Sequence, residues 1–505
     1  MAQLSPHIAL IQEPNRNIFV PLEASFNYPE KILQFGTGVL LRGLIDFFVD
    51  KANKQGLFEG RIVIVKSMAS TGVDDFALQG SVFTQQIKGI EHGELVEQTW
   101  INNSISRVLS AQSQWAEILN LASSPDLSII VSNTTEVGIQ YVPELLQAGQ
   151  PPVSFPGKLL AFLLARYQNQ GGTKAQGFTI VPTELIVGNG TKLKEIVLKL
   201  ATHNNLDAEF LNWVATGNSF CNSLVDRIVP GKPMSDVVKA LEVELGYDDN
   251  LLIMSEVYRL WAIEGGAEVR QALGFAAGDS GVVISEDITP FRERKLRLLN
   301  GVHTISVALA YLAGKETVLD MMTDPELAQF VERVAHEEFV PSVRVDQASA
   351  TTFSNEVLDR FRNPHIVHPL INITLQYSSK MAMRNVQTLL NYVADHEKAP
   401  RLFALGFAAY LVFSKVEAER DGNYFGIRKQ AEYPIKDDRA AVLAKHWAGY
   451  TNDAAPVVRG LLAEQDIWGL DLNSVADFAD LVIADVASLL SDGAANTLRH
   501  VLSIK

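Results

Sequence analysis

Up to about residue 288 the chain alternates short apolar runs with segments of helical period; beyond that point the helical period takes over. Residues 1–30 carry several turn formers and read as a loosely structured lead-in. Lys31-Ile-Leu-Gln-Phe35 predicts a strand, and Leu44–Ala52 predicts a helix. Arg61-Ile-Val-Ile-Val-Lys66 is a β-branched run without a polar break, as expected of a parallel strand buried on both faces. Strand, glycine turn, helix, strand is a βαβ unit. Leu127–Ser132, Phe178–Pro182 and Gly281–Ser285 read as further strands. From Phe291 onward apolar residues recur at three- and four-residue spacing, as in Val482–Leu490. The pattern predicts an α/β chain: a mostly parallel sheet over 1–288, then a mostly α-helical domain over 289–505. The boundary falls where Asp287, Thr289 and Pro290 cluster.

Length agrees, since 505 residues exceed one ordinary core. A hydrophobic share of 47% and a charged share of 20% are those of a soluble globular protein. A net charge of −15 disfavours nucleic acid and anionic membrane as partners, yet leaves room for an anionic substrate in a local cationic pocket. The single cysteine, Cys221, excludes an intramolecular disulfide and a Cys-rich zinc site. No basic n-region precedes an apolar stretch and no run approaches 18 apolar residues, so a cytoplasmic location is expected. Oligomeric state is left open.

The first βα turn carries Gly36-Thr-Gly38, with Leu41 at the third fingerprint position and the next glycine at 43. The first two glycines still suit a tight turn and close approach of backbone N–H groups to a pyrophosphate, which predicts a Rossmann-type site with Arg42 as an added cation. Lys66 and Ser67 stand where an acid often meets the ribose of NAD; their presence keeps NADP(H) open beside NAD(H). Asn133, Thr134 and Glu136 follow a strand, where a cofactor crevice or a plain polar loop would both suit them. Asn189-Gly190 reads first as a turn.

After the boundary, Lys295, Asn300 and His303 lie within an arc of roughly 140° if the segment is an α-helix. That face would look into the cleft between the domains. A lysine to trade a proton, an amide to hold an oxygen and an orienting histidine suit the interconversion of an alcohol and a carbonyl; a solvated charged face is the alternative. Lys380 and Arg384, four apart, would share a helix face and clamp a carboxylate, or form a basic surface.

The order of β-Gly-x-Gly-α, Ser132-Asn-Thr-Thr-Glu-x-Gly138, Asn189-Gly190, Val225-Asp-Arg-Ile228 and Lys295-x4-Asn300-x2-His303 resembles the long-chain polyol dehydrogenases typified by mannitol 2-dehydrogenase. Flanking segments such as Glu293-Arg-Lys and Arg360-Phe-Arg-Asn-Pro are most similar to members that act on hexuronates. The resemblance implies a zinc-independent NAD(H) oxidoreductase for a small sugar acid. It makes Lys295 the general acid/base, with a pKa lowered by its site, and gives the reacting oxygen to Asn189 and Asn300. His303 would orient substrate and lysine, and Glu136 would lie near the nicotinamide. Lys380, and less directly Asp226, His368 and Arg384, would line the substrate pocket. Arg384 with Lys380 is the expected partner of a substrate carboxylate, with Arg362 next. Sibling activities on fructuronate or a neutral polyol, and a non-catalytic nucleotide sensor, are the competing readings.

Overall fold

The computed structural model describes residues 1–67, 74–134 and 138–503. It divides the chain into two compact units, Met1–Gly89 with Leu95–Ile288, and Ile90–Glu94 with Thr289–Lys505.

The first unit is built on a six-stranded parallel sheet. Its strands in chain order are β1 (Glu30–Phe35), β2 (Arg61–Lys66), β3 (Ile105–Ser110), β4 (Ile129–Ser132), β5 (Thr179–Pro182) and β6 (Ser219–Phe220). Their spatial order is β6-β5-β4-β1-β2-β3, the Rossmann order, with the switch point between β1 and β4. Alternation explains why the strands read as unbroken apolar runs. Ile32, Ile62, Ile64, Ile129 and Val131 face one core with α1 (Val39–Lys54). Leu33, Phe35, Val63, Val65 and Ile130 face the other with α2 (Phe155–Gln170) and α3 (Asn189–His203). A second sheet pairs β7 (Ser223–Asp226) antiparallel to β8 (Leu260–Glu264), and β8 parallel to β9 (Val282–Ser285). Cys221 lies buried between the two sheets in sequence, and burial pushes its thiol up to about 12.

The lead-in is more ordered than its turn formers suggest. Ala2 and Gln3 pair with Tyr247 and Asp248, and Leu4 and Ala9 are buried. The partner strand is some 245 positions away, so no local pattern announces it.

The second unit is helical. Helix α4 runs as α over Thr289–Arg294, as π over Lys295–Gly301, and as α again over Val302–Leu312. Helix α5 (Pro325–Arg333) continues as π over Val334–Phe339. After α6 (Gln347–Phe361), helix α7 runs from Tyr377–Met381 through a π stretch, Ala382–Val386, into Gln387–His396. The core helix α8 (Arg401–Phe413) is apolar nearly all round and packs against α9 (Phe478–Ser491) and α4. Its first N–H groups have no intrahelical acceptor. The Glu338 carboxylate accepts from Leu402 and Phe403 N–H at 2.8 and 2.7 Å, and burial pushes that carboxyl up to about 7. A three-stranded antiparallel meander, Ala418–Arg420, Asn423–Arg428 and Ala431–Ile435, interrupts the helices.

Candidate active site

The nucleotide half begins at the glycine turn. Gly36 has φ +123°, and a Cβ there would come 2.8 Å from the Asn133 carbonyl oxygen. Only glycine fits. Gly38 caps α1 without a side-chain hydrogen bond, and a Cβ there would meet nothing within 4 Å. The first N–H groups of a 16-residue helix therefore open onto free space beside the carboxyl ends of β1 and β4, the arrangement a pyrophosphate needs. Gly43 has a packing role: a Cβ would come 2.8 Å from Val229 Cγ1. The Val-Asp-Arg-Ile segment is held to this helix by Arg227, which is buried and donates to the Gly43 and Glu256 carbonyls. Asp226 is buried at the end of β7.

One expectation in this half is corrected. Arg42 is not a cation for phosphate. Its guanidinium is buried, donates to the Leu251 carbonyl at 2.6 Å and lies over the Phe76 and Phe83 rings. Asn189, expected to donate to a reacting oxygen, has its amide committed to backbone groups in this structure. It is 0% exposed, and its side-chain nitrogen donates to the carbonyls of Pro182, Glu184 and Ser223 at 3.0–3.2 Å. Its side-chain oxygen accepts from Gly190 and Ser223 N–H. Asn189 thus ties β5 to β7, the structural reading of the turn.

The residue that sequence reasoning passed over is Glu184. It is 3% exposed, two residues beyond β5. Its carboxylate accepts from Ser132 Oγ at 3.1 Å, Thr134 N–H at 2.9 Å and Thr134 Oγ1 at 3.0 Å. Asn133 donates to the Thr183 hydroxyl at 3.0 Å. The loop after β4 is therefore clamped to the loop after β5 through one carboxylate. An acid at a strand's carboxyl end was the available signal. Glu136 lies outside the described residues. Lys66, at the end of β2, pairs with Asp74, and Ser67 is exposed beyond it.

The residues expected to meet substrate lie on α4, on α7 and in the segment that follows α6. The π stretch advances through fewer degrees per residue than an α-helix, so the arc computed for α geometry does not describe Lys295, Asn300 and His303. Lys295 opens the π stretch and is half-buried. Asn300 is half-buried too, and its amide makes no hydrogen bond among the described residues. His303 is 8% exposed, lies 4.8 Å from the Phe361 ring and 4.9 Å from the His368 ring, and its Nε2 has no partner. Burial holds it well below the usual imidazole range, reinforced by His368, Arg384, Arg360 and Lys380. It is neutral at physiological pH.

The same cations crowd one another. Lys380 is lowered by burial and by Arg384, and donates to the Ile373 carbonyl at 2.9 Å. His368 is lowered by burial and by Lys380. Arg384 donates to Thr304 Oγ1 at 2.9 Å, and its buried Nε has no partner. No carboxylate pairs with it among the described residues. Arg362 is different: it pairs with Glu332 at 2.5 Å and lies near Asp359 at 3.8 Å, so its charge is already met. The expectation that it is a second choice for a substrate carboxylate is corrected. Among the described residues no group of three or more His, Cys, Asp or Glu side chains is arranged to hold a metal ion, and no helix is long and apolar enough to cross a membrane.

Comparison with known proteins covers both halves. The mannitol dehydrogenase Rossmann domain matches residues 30–273, and the mannitol dehydrogenase C-terminal domain matches residues 287–490. The altronate oxidoreductase of Halalkalibacterium halodurans is 36% identical over 487 residues, covering 95% of this chain and 94% of that one. The altronate oxidoreductase of Bacillus subtilis (strain 168) is 36% identical over 474 residues, 94% of each chain. In fold the chain is similar to Pseudomonas fluorescens mannitol 2-dehydrogenase, solved in a ternary complex with NAD and D-mannitol. The TM-score is 0.65, the identity 22%, and all of both chains is covered. A D-sorbitol dehydrogenase in substrate-free form superposes with TM-score 0.78 at 19% identity over 99% of this chain and 100% of that one. A Rossmann half with an open phosphate turn and a helical half with a lysine, an amide and a histidine accord with these matches: the chain belongs to the mannitol dehydrogenase family and is an oxidoreductase acting on CH–OH groups.

Proposed function

We propose that the protein interconverts D-tagaturonate and D-altronate with NAD(H), without zinc. The observation that carries the substrate class is the cationic pocket around His303. Half-buried Arg384 and Lys380 bring positive charge beside buried His303, and no protein carboxylate among the described residues pairs with Arg384. A neutral polyol has no use for such a pocket, whereas a uronate carboxylate completes it. The altronate oxidoreductase relatives support the same substrate.

A nicotinamide cofactor held at the Gly36–Gly38 turn would supply the hydride for reduction of the keto carbon, and the chain's own residues meet the negative charge that develops on the keto oxygen. Asn300 donates a hydrogen bond to that oxygen, and the Lys295 ammonium gives it a proton, leaving the alcohol and a neutral lysine. With Asn189 committed to backbone carbonyls, one amide rather than two serves the oxygen. His303, neutral and with a free ring nitrogen, meets a substrate hydroxyl. Arg384 and Lys380 receive the carboxylate. The Asn300 amide and the Lys295 ammonium supply the polarisation a metal would otherwise give.

NAD(H) is the favoured cofactor because the Lys66 charge is met by Asp74 rather than offered to a 2′-phosphate. Initial rates with tagaturonate, fructuronate and fructose, each with NADH and NADPH, test the reading. Tagaturonate with NADH should be fastest, and Arg384→Ala should raise the KM for tagaturonate at least tenfold, roughly 1.4 kcal/mol of lost charge pairing. Equal turnover of fructose, or an unchanged KM in Arg384→Ala, rejects the uronate assignment. NADH binding without turnover of any of the three would instead mark a nucleotide sensor.

A further inference from the structure

The π stretches of the substrate half converge on one residue. A Cβ on Gly301, in the π stretch of α4, would come 2.8 Å from the Asn385 amide, 2.9 Å from Phe339 Cε1 and 3.4 Å from the Arg384 carbonyl oxygen. Phe339 belongs to the π stretch Val334–Phe339, and Arg384 and Asn385 to Ala382–Val386. Assigned by its hydrogen bonds, Asn385 turns its side-chain nitrogen to the carbonyls of Arg384 and Gly301, each at 3.2 Å. The turn that carries Lys295 and Asn300 is therefore packed backbone to backbone against the turn that carries Arg384.

Arg297 fastens the two. It stands inside the Lys295–Gly301 stretch, and its Nη1 donates to the Met383 carbonyl at 2.7 Å and the Arg384 carbonyl at 3.0 Å. Its Nε donates to Glu293 at 3.2 Å. Both carbonyls belong to the π stretch Ala382–Val386, so the guanidinium that serves them ties Lys295–Gly301 to that stretch in one register. The circuit then closes. The Arg384 side chain returns to Thr304 Oγ1, one residue beyond His303 on the same α4. Lys295 and Asn300 at one end, and the Arg384 guanidinium at the other, are held at a set separation by a brace whose own bonds go to Glu293, Met383 and Arg384.

We propose that Arg297 is a positioning residue that sets the distance between the proton-transfer lysine and the carboxylate-binding arginine, and so selects substrates by the span between their carbonyl and carboxylate. This rests on the reading of Arg384 given above. Lysine at 297 keeps the charge but lacks the second nitrogen, so an ammonium that reaches the two carbonyls is no longer anchored to Glu293 as the guanidinium is through Nε.

The test uses the full-length enzyme and Arg297→Lys. Its readouts are kcat and KM for tagaturonate, the Kd for NADH, the melting temperature, and inhibition constants for a six-carbon and a five-carbon aldonate. The expected result is a wild-type preference for the six-carbon acid that shrinks by roughly tenfold in Arg297→Lys, because a brace loosened by a fraction of an ångström relaxes the span. NADH affinity is expected to stay unchanged. If Arg297→Lys weakens both aldonates equally, or changes neither, the proposal is overturned, since a general packing role would not shift the ratio. Glu293→Gln is the second variant, for the case that Arg297→Lys folds poorly. It loosens Arg297 from outside the packed turns and should move the ratio in the same direction by a smaller factor; an unmoved ratio there is likewise against the proposal. Arg384→Ala separates the two readings. If it leaves the KM for tagaturonate unchanged, the uronate assignment fails. If it raises that KM while Arg297→Lys preserves the ratio, only the span-setting role fails.

Discussion

Asn189 and Asn300 are the same residue type, and the family pattern gives both amides to one oxygen. Their surroundings differ completely. Asn189 is sealed between β5 and β7 with three carbonyls on its nitrogen and two N–H groups on its oxygen. Asn300 sits half-buried in a π stretch with its amide uncommitted among the described residues. An amide can act on a substrate only if the fold has left it hydrogen-bonding capacity. The contrast separates an amide spent on the scaffold from one that keeps hydrogen-bonding capacity, although the sequence presents them alike.

The variants that break this comparison most strongly are at the chemical end. Lys295→Ala should lower kcat by about 10²–10⁴ with NADH binding retained, as fluorescence titration would register. Asn300→Ala should lower kcat by about 10²–10³ and leave the melting temperature nearly unchanged. Asn189→Ala should do the reverse: kcat per folded molecule stays close to wild type, while urea titration shows a loss of about 2–4 kcal/mol as buried carbonyls and N–H groups go unpaired. A large kcat loss in a fully folded Asn189→Ala would restore the two-amide arrangement. Glu184→Gln has a smaller expected effect. An amide in place of the clamp presents N–H groups to the donors of Ser132 and Thr134, so the KM for NADH should rise several-fold, with the KM for the sugar acid little changed.

The smallest expected effect is on pH dependence. Burial raises the carboxyl of Asp46 in α1 from 3.8 to about 7, and that of Glu338 from 4.5 to about 7. Between about 4 and 7 the folded protein holds protons that the unfolded chain has released. The stability these groups contribute is complete below about 4 and is lost as pH rises through about 7. Asp46→Asn should therefore flatten the decline in melting temperature between pH 5 and 8. His303 has the opposite sign, since its pKa is lowered: its contribution is present above 6.5 and lost as pH falls.

Much of the nucleotide half was legible in the sequence because a parallel strand covered on both faces is apolar along its covered length, as in Ile62–Val65 between Arg61 and Lys66. Gly36 was legible for a similar reason, since its backbone conformation excludes a side chain. What escaped depends on acceptors supplied from far along the chain. Arg42 was misread because its partner is the carbonyl of Leu251, and the backbone commitments of Asn189 were hidden because Ser223 closes its ring of hydrogen bonds. The meander did leave a local sign in Asp421-Gly422, whose φ values of 50° and 74° suit a tight hairpin turn. The π stretches left none that is specific: Lys295–Leu299 are ordinary helix formers, Asn300 and Gly301 weaken a helix without setting its pitch, and the segment is tied to Met383, Arg384 and Asn385.

The buried thiol of Cys221 has a practical consequence. With its pKa pushed up to about 12, only roughly one molecule in 10⁵ carries a thiolate at neutral pH, and the sulfur is 4% exposed. The native enzyme should be indifferent to alkylating reagents and to mild oxidants. Because this is the chain's only cysteine, any label that does attach marks an opening of the segment joining β6 to β7, where Asn189 makes its seal. The rate of alkylation thus serves as a built-in clock for that opening, readable by mass spectrometry without introducing a probe.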